Sequence, residues 1–284
     1  MNAPDRNLIA GLHKGMPAAD YFAVDALNAS GLKQLRRSPA HYYGTALDPN
    51  RPPPADPTPA MINGTLVHCA LFEPDELASR YIVRPDGIDG RTKEGKAALA
   101  ALGAEGREVV TVAALAAAQR QAAAVRAMPD ISALLADGYA EASAFWVDPE
   151  TDVMCKCRPD WVAPAGDGVV IIDGKTCIDA SADGFGRAIW NYGYHLQAAW
   201  YADGFTHATG LQVHGFVFAA VENAWPHAAA AYMLDDDVMD KSRAECRRLL
   251  RLYDKCRRAN HWPGYPAGVQ QINLPRWANL ENEE

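Results

Sequence analysis

The sequence predicts an α/β layer fold with a mixed β-sheet flanked by helices, and three observations predict it. Between residues 141 and 176, three β-prone runs, EASAFWV, VMCKCRPDWV and VVIIDGKT, are separated by turns at Asp148-Pro149-Glu150 and Gly166-Asp167-Gly168. Helical periodicity then runs from Phe185 to His207. Two further β-prone runs, VHGFVFAAV and AAAAYML, precede a last charged helix. Strands, helix, strands and helix in that order argue for stacked α and β layers around a mixed sheet.

The chain has 284 residues, 49% hydrophobic, 22% charged and 9% aromatic, which is the composition of an ordinary folded protein. Single cores stop growing near roughly 250–300 residues, so one domain is expected over 1–284. Its parts are an N-terminal helical region with a proline-rich loop (1–60), a helical region carrying His68 (61–140), a central core (141–234), and a basic helix with a tail (235–284). No run approaches the roughly 18 to 20 apolar residues of a membrane span, and the start MNAPDRNLIAGLHKG lacks an apolar signal region. A soluble, cytoplasmic protein without a membrane partner is expected. The formal net charge of −8 excludes a globally basic nucleic-acid coat, although not local basic patches. Six dispersed cysteines then read as reduced thiols, and Cys155 and Cys157, separated by Lys156 alone, lack zinc-site spacing.

Taken in order, Ala29–Tyr43 (ASGLKQLRRSPAHYY) reads as a short basic helix with Ser30 as N-cap and a Leu32/Leu35 apolar edge. Lys33, Arg36 and Arg37 occupy its other faces, and Pro39 stops it. The run Asp48–Pro59 is too proline-rich for helix or central strand. MINGTLVHCALFEP resumes a helical rhythm, with Gly64 and His68 four apart on one face. Alanine dominates the next stretch, whose clearest helix is Val112–Met128, ended by Pro129.

The chemistry lies in the central strands. Asp160 is expected at the end of the second strand and Asp173 at the end of the third, with Lys175 on the same side as Asp173 because strand side chains alternate. Two carboxylates and an ammonium at adjacent strand ends would form a hard-oxygen site for Mg²⁺, which binds one or two carboxylates and retains waters for phosphodiester hydrolysis. The same residues also read as turn aspartates and a solvated lysine. Asp173, however, follows the apolar run VVII, and open α/β sheets place ligands at strand ends. On the next helix Gln197 and Tyr201 share a face, with Tyr194 one turn earlier.

These residues resemble a known nuclease family. Arg158-Pro159-Asp160 followed by Asp173-Gly174-Lys175 is similar to the PD-(D/E)-x-K signature, and Gln197-x-x-x-Tyr201 to the additional motif of its RecB-like branch. Gly64-Thr65-Leu66-Val67-His68 is similar to that branch's upstream histidine motif. SGLKQLRRSPAHY, GTLVHCALFEPDEL, RPDWV, IIDGKT and NYGYHLQAAWYADGF read like the RecE-type (exodeoxyribonuclease VIII) exonucleases of phage and prophage, in colinear order from Ala29 to Val221.

The resemblance implies a restriction-endonuclease-like core with a central mixed sheet flanked by helices, plus N-terminal and inserted helices. It implies that Asp160, Asp173 and the Gly174 carbonyl ligate Mg²⁺, with Mn²⁺ as the alternative, and that His68 completes the metal site or touches the scissile phosphate. Lys175 would orient the attacking water and stabilise charge on the phosphate, while Gln197 and Tyr201 position these groups. Glu141, Ser143 and Tyr194 are further candidates. Gly174 departs from the apolar residue usual at the centre of that motif and introduces a freer backbone there.

DNA binding requires local positive charge. Arg247, Arg248 and Arg251 on the late helix, with Lys33, Arg36 and Arg37 on the early one, are the candidates, although basic helices are also ordinary solvated surfaces. The activity implied is metal-dependent digestion of linear double-stranded DNA from its ends, 5′ to 3′, leaving 3′ single strands for recombination. A homo-oligomeric ring around DNA and a single-strand annealing partner are implied as well. The alternatives are a restriction-like endonuclease, a different RecB-like nuclease, or a catalytically inactive DNA-binding or assembly protein on the same scaffold. An unrelated small-molecule binder would leave His68 unexplained.

Overall fold

The computed structural model describes residues 9–53, 55–104 and 106–273. The first eight residues of the opening segment and the tail from residue 274 lie outside them. In chain order, β1 (Gly11–His13) and α1 (Ala18–Ala23) lead to α2 (Ala29–Arg37), α3 (Pro39–Tyr42) and α4 (Pro59–Phe72). Next come α5 (Leu77–Arg80), β2 (Tyr81–Val83), α6 (Lys93–Gly103), β3 (Glu108–Val110), α7 (Val112–Arg126) and α8 (Pro129–Leu135). The central part holds β4 (Tyr139–Ala140), β5 (Ser143–Val147), β6 (Met154–Cys157), β7 (Trp161–Ala165) and β8 (Gly168–Cys177). It continues through α9 (Ala182–Asn191), α10 (Tyr194–Thr209), β9 (Val213–Glu222), β10 (Ala229–Met233) and α11 (Asp236–Ala259).

The central sheet has the order β10-β9-β8-β7-β4. Only β8 and β9 run parallel in it, joined by α9 and α10, so the sheet is mixed as the sequence predicts. Alternation along the two middle strands divides the core. Ile171, Phe216, Phe218 and Ala220 face one layer with Leu32, Leu35, Leu196 and Leu249. Ile172, Val217, Ala219 and Val221 face the other, with Leu66, Leu71, Phe72, Ala118 and Val125. Sheet faces covered on both sides explain why VVII and VFAAV are continuous apolar runs.

Several boundaries differ from the sequence reading. Asn28, not Ser30, caps α2, its side chain accepting from the Gly31 N–H at 2.8 Å. Ser38 caps α3, so Pro39 opens a helix as well as closing one; Pro129 likewise opens α8. VMCKCRPDWV is two strands in two sheets: β6 pairs with β5, which pairs with β1, whereas β7 joins the central sheet. Pro159, at the break, has no N–H to donate. The expected helix from Phe185 to His207 is also two, interrupted at Tyr192-Gly193, where Gly193 adopts a left-handed φ of 63°. Asp173 is not at a strand end: β8 continues to Cys177 because β9 pairs with it residue by residue as far as Glu222.

No described helix is long and apolar enough to cross a membrane. All six cysteines are unbridged.

Candidate active site

The β7–β8 ladder ends by pairing Trp161 with Ile172, which sets Asp160 beside Asp173. Beyond that pair the Gly174 N–H donates to Asp160 Oδ2 at 2.8 Å, so a side chain continues the ladder where the backbone leaves off. Asp173 and Lys175 project together toward α10, and their Oδ2 and Nζ form an ion pair. Gln197, on α10, donates from Nε2 to Asp173 Oδ1 at 2.7 Å. The Tyr194 ring lies 4.9 Å from Lys175 Nζ.

From the other face, α4 brings His68. Its Nε2 is 2.9 Å from Asp160 Oδ2 and its Nδ1 is 3.3 Å from Glu141 Oε1. Glu141 reaches it from a left-handed backbone position (φ 53°) just before β5. Its other oxygen accepts from Arg158 Nε. Arg158 Nη1 donates in turn to Ser143 Oγ at 2.6 Å and to the Met16 carbonyl at 2.9 Å. The guanidinium thus fixes Glu141 and the break between β6 and β7 together.

Electrostatics follow from this crowding. Burial opposes the charged form of His68, but Asp160 and Glu141 outweigh it and push its pKa up to about 9. Burial likewise disfavours the Asp160 carboxylate, yet His68, Lys175 and the Gly174 N–H hold its pKa below the usual range. Asp173, fully buried, is raised by that burial, and the Asp160 charge adds to the rise against the opposing pull of Lys175. Burial is the largest influence on Lys175 too, but Asp173 and Asp160 overcome it and raise its pKa.

The residues fit a hard divalent cation. Ligand atoms of His68, Glu141 and Asp160 lie within 4.8 Å of one another. Beside them, the buried Asp173 Oδ2 faces Lys175 without a hydrogen bond of good geometry, so it retains acceptor capacity. Two or three carboxylates with one imidazole suit Mg²⁺ or Mn²⁺. Glu141 therefore belongs to the cluster more intimately than its place in the sequence indicates.

Gly174 permits a close approach between α4 and β8. A Cβ there would lie 2.9 Å from Phe72 Cε2, so glycine lets α4 pack directly on β8 and bring His68 within reach. Tyr201 lies one turn beyond Gln197, its ring edge-on to Phe216 at 6.3 Å. Burial raises its pKa well above the ordinary value, and the charges of Tyr21, Asp173 and Asp160 add to the rise. Ser143 is fully buried and meets the centre through Arg158.

The basic candidates divide. Lys33 enters the centre, donating to Gln197 Oε1 at 3.2 Å. Arg36 lies 4.5 Å over the Trp190 ring, and Arg37 is exposed. On α11, Arg247 pairs with Asp148 and Glu150, Arg248 with Glu245, and Arg251 with Glu150. Those three cations already have carboxylate partners and make no described contact with the Asp160–Asp173 centre. The link from Arg158 to Glu141 and Ser143 was missed, although Arg158 begins the Arg-Pro-Asp motif. Phe72 was missed because only the packed structure shows what fills the space above Gly174.

Comparisons with known proteins bear on the fold and the family. The crystal structure of a "Putative exonuclease" from Eubacterium rectale aligns with a TM-score of 0.57 at 13% identity, covering 90% of this chain and 97% of that one, which shows a shared fold. More distant are SSO0001 (TM-score 0.29, 15% identity, 68% of this chain and 87% of that one) and VC1899 from Vibrio cholerae (0.23, 12%, 86% and 59%). No curated protein matches the chain in sequence at a significant level. The family model described as "PDDEXK-like domain of unknown function (DUF3799)" matches residues 28–275. Because that match spans nearly the whole sequence, the chain belongs to this family of PDDEXK-like domains.

Proposed function

We propose that this chain is a divalent-metal-dependent deoxyribonuclease that digests linear duplex DNA from its ends, 5′ to 3′, and leaves 3′ single strands for recombination. The observation that carries the hydrolytic part is the convergence of Asp160, Asp173 and Lys175 with His68 and Glu141. Asp160 and Asp173 would hold Mg²⁺ or Mn²⁺, with His68, Glu141 and the Gly174 carbonyl alongside. The cation would supply Lewis acidity and a nucleophile from bound water. Lys175, held by Asp173, would orient the attacking water and balance charge developing on the phosphate. Gln197 keeps Asp173 in register, and Tyr201, one turn further along α10, would help position these groups.

The substrate, the dependence on ends and the polarity rest on the similarity to RecE-type exonucleases. A ring of identical subunits, with a single-strand annealing protein receiving the product, belongs to the same proposal. Enclosure would let few cations act strongly on DNA despite the net charge of −8. The test is to incubate purified protein with linear duplexes labelled at the 5′ or the 3′ end, and with closed circles, with and without Mg²⁺. Mg²⁺-dependent early release of the 5′ label, with circles left intact, is expected. Equal cutting of circles would reject the exonuclease reading, and early release of the 3′ label would reverse the polarity.

A further inference from the structure

Lys33 reaches the reactive centre from α2, which carries none of the PD-(D/E)-x-K, Gln-x-x-x-Tyr or upstream histidine residues. Its helix, α2, is anchored by Leu32 and Leu35, which are 0% and 1% exposed, and by the Asn28 cap. The lysine stem runs across the backbone of Gly193, where a Cβ would stand 3.4 Å from Lys33 Cγ and 3.5 Å from Cε. Its ammonium lies 5.2 Å from the Tyr194 ring centroid, on the same ring that Lys175 approaches to 4.9 Å. Burial first, and then the nearby Lys175 charge, push its pKa down to about 8.

The hydrogen bonds have a direction. Lys33 Nζ donates to Gln197 Oε1 at 3.2 Å, and Gln197 Nε2 donates to Asp173 Oδ1 at 2.7 Å. An ammonium can only donate and a carboxylate only accept, so an amide bridging the two has a single orientation. We infer that Lys33 is a positioning residue: it locks the Gln197 amide against Asp173 Oδ1, so that Asp173 Oδ2 stays turned toward Lys175 and the cation site. The kinetic consequence rests on the nuclease reading, whereas the amide lock does not. A lysine gripping the DNA phosphate directly would behave differently, since its loss would weaken binding and flatten the salt dependence.

The test uses full-length protein carrying Lys33→Met, which keeps the stem over Gly193, together with Gln197→Ala and the double variant. In ¹H–¹⁵N spectra of metal-free wild type, the Gln197 side-chain NH₂ pair, assigned by its loss in Gln197→Ala, is expected to be protected from hydrogen exchange. In Lys33→Met that protection should fall at least tenfold. In the nuclease assay kcat should fall about 10- to 100-fold, the range for lost support of a metal site, with KM within about twofold. The double variant should be no slower than Gln197→Ala, because both changes remove one linkage. An unchanged amide, multiplicative kinetic losses, or a raised KM at unchanged kcat would each overturn the inference. A wild type with a protected amide but no metal-dependent DNA hydrolysis would instead retire the nuclease reading and leave the lock standing.

Discussion

Replacing Gly174 with valine, an apolar residue of the kind common at this place in related motifs, tests how the centre is held together. The new Cβ would lie 2.9 Å from Phe72 Cε2 and 3.3 Å from Cζ. Carbon atoms pack best about 3.5–4.0 Å apart, so the ring would have to withdraw by roughly half an ångström or more. It has little room, being 4% exposed, stacked on Trp161 at 6.4 Å and edge-on to His68 at 4.9 Å. Overpacking of this kind costs about 1–3 kcal/mol. Replacing glycine in a strand offsets roughly 0.5–1 kcal/mol of that by restricting the unfolded chain. The expected net loss for Gly174→Val is about 2 kcal/mol, taking the upper half of the first range because valine adds two methyl groups beyond Cβ. Urea unfolding followed by tryptophan fluorescence measures it. Phe72→Leu in the same chain should recover at least about 1 kcal/mol relative to additivity, since contacting sites couple. A Gly174→Val protein as stable as wild type, or a strictly additive double variant, would refute the packing account.

Further expectations concern other parts of the fold. Asp173→Asn should abolish metal-dependent turnover while leaving circular dichroism unchanged, because the amide keeps the acceptor that Gln197 uses but loses the ligand charge. Gly193→Ala should cost about 1–2 kcal/mol, measured by urea unfolding, because its φ of 63° is left-handed. Asp148, 1% exposed, is opposed by burial, but Thr151 and Arg247 hold its pKa below the usual range. A depressed folded-state pKa stabilises fully above the unfolded value of about 3.9 and is lost as pH falls through the folded value. Unfolding free energy should therefore decline as pH drops below about 4, and Asp148→Asn should flatten that decline in acid titrations monitored by fluorescence.

The motif residues were legible because their chemistry is local in sequence. Alternation along one strand puts Asp173 and Lys175 on one side, and a helical spacing of four puts Gln197 and Tyr201 on one face, whatever the rest of the chain does. Strand ends were less legible, because the run VVIIDGKT does not disclose that β9 keeps pairing through Cys177. The split of VMCKCRPDWV between two sheets depends on which partners reach each half. The carboxylate partners of the late basic helix were not legible, because Asp148 and Glu150, which pair with Arg247 and Arg251, lie about a hundred residues away in sequence. Glu141 was undervalued for a similar reason: its left-handed turn toward His68 depends on Arg158, which lies beyond the intervening strand pair.

If Asp160 and Asp173 hold a divalent cation in common, crystals grown with Mn²⁺ and measured at its absorption edge will reveal it most directly. An anomalous peak within coordination distance of both carboxylates, lost in Asp160→Asn and Asp173→Asn crystals, is the predicted result. Well-ordered carboxylates with no peak between them at millimolar Mn²⁺ would contradict it.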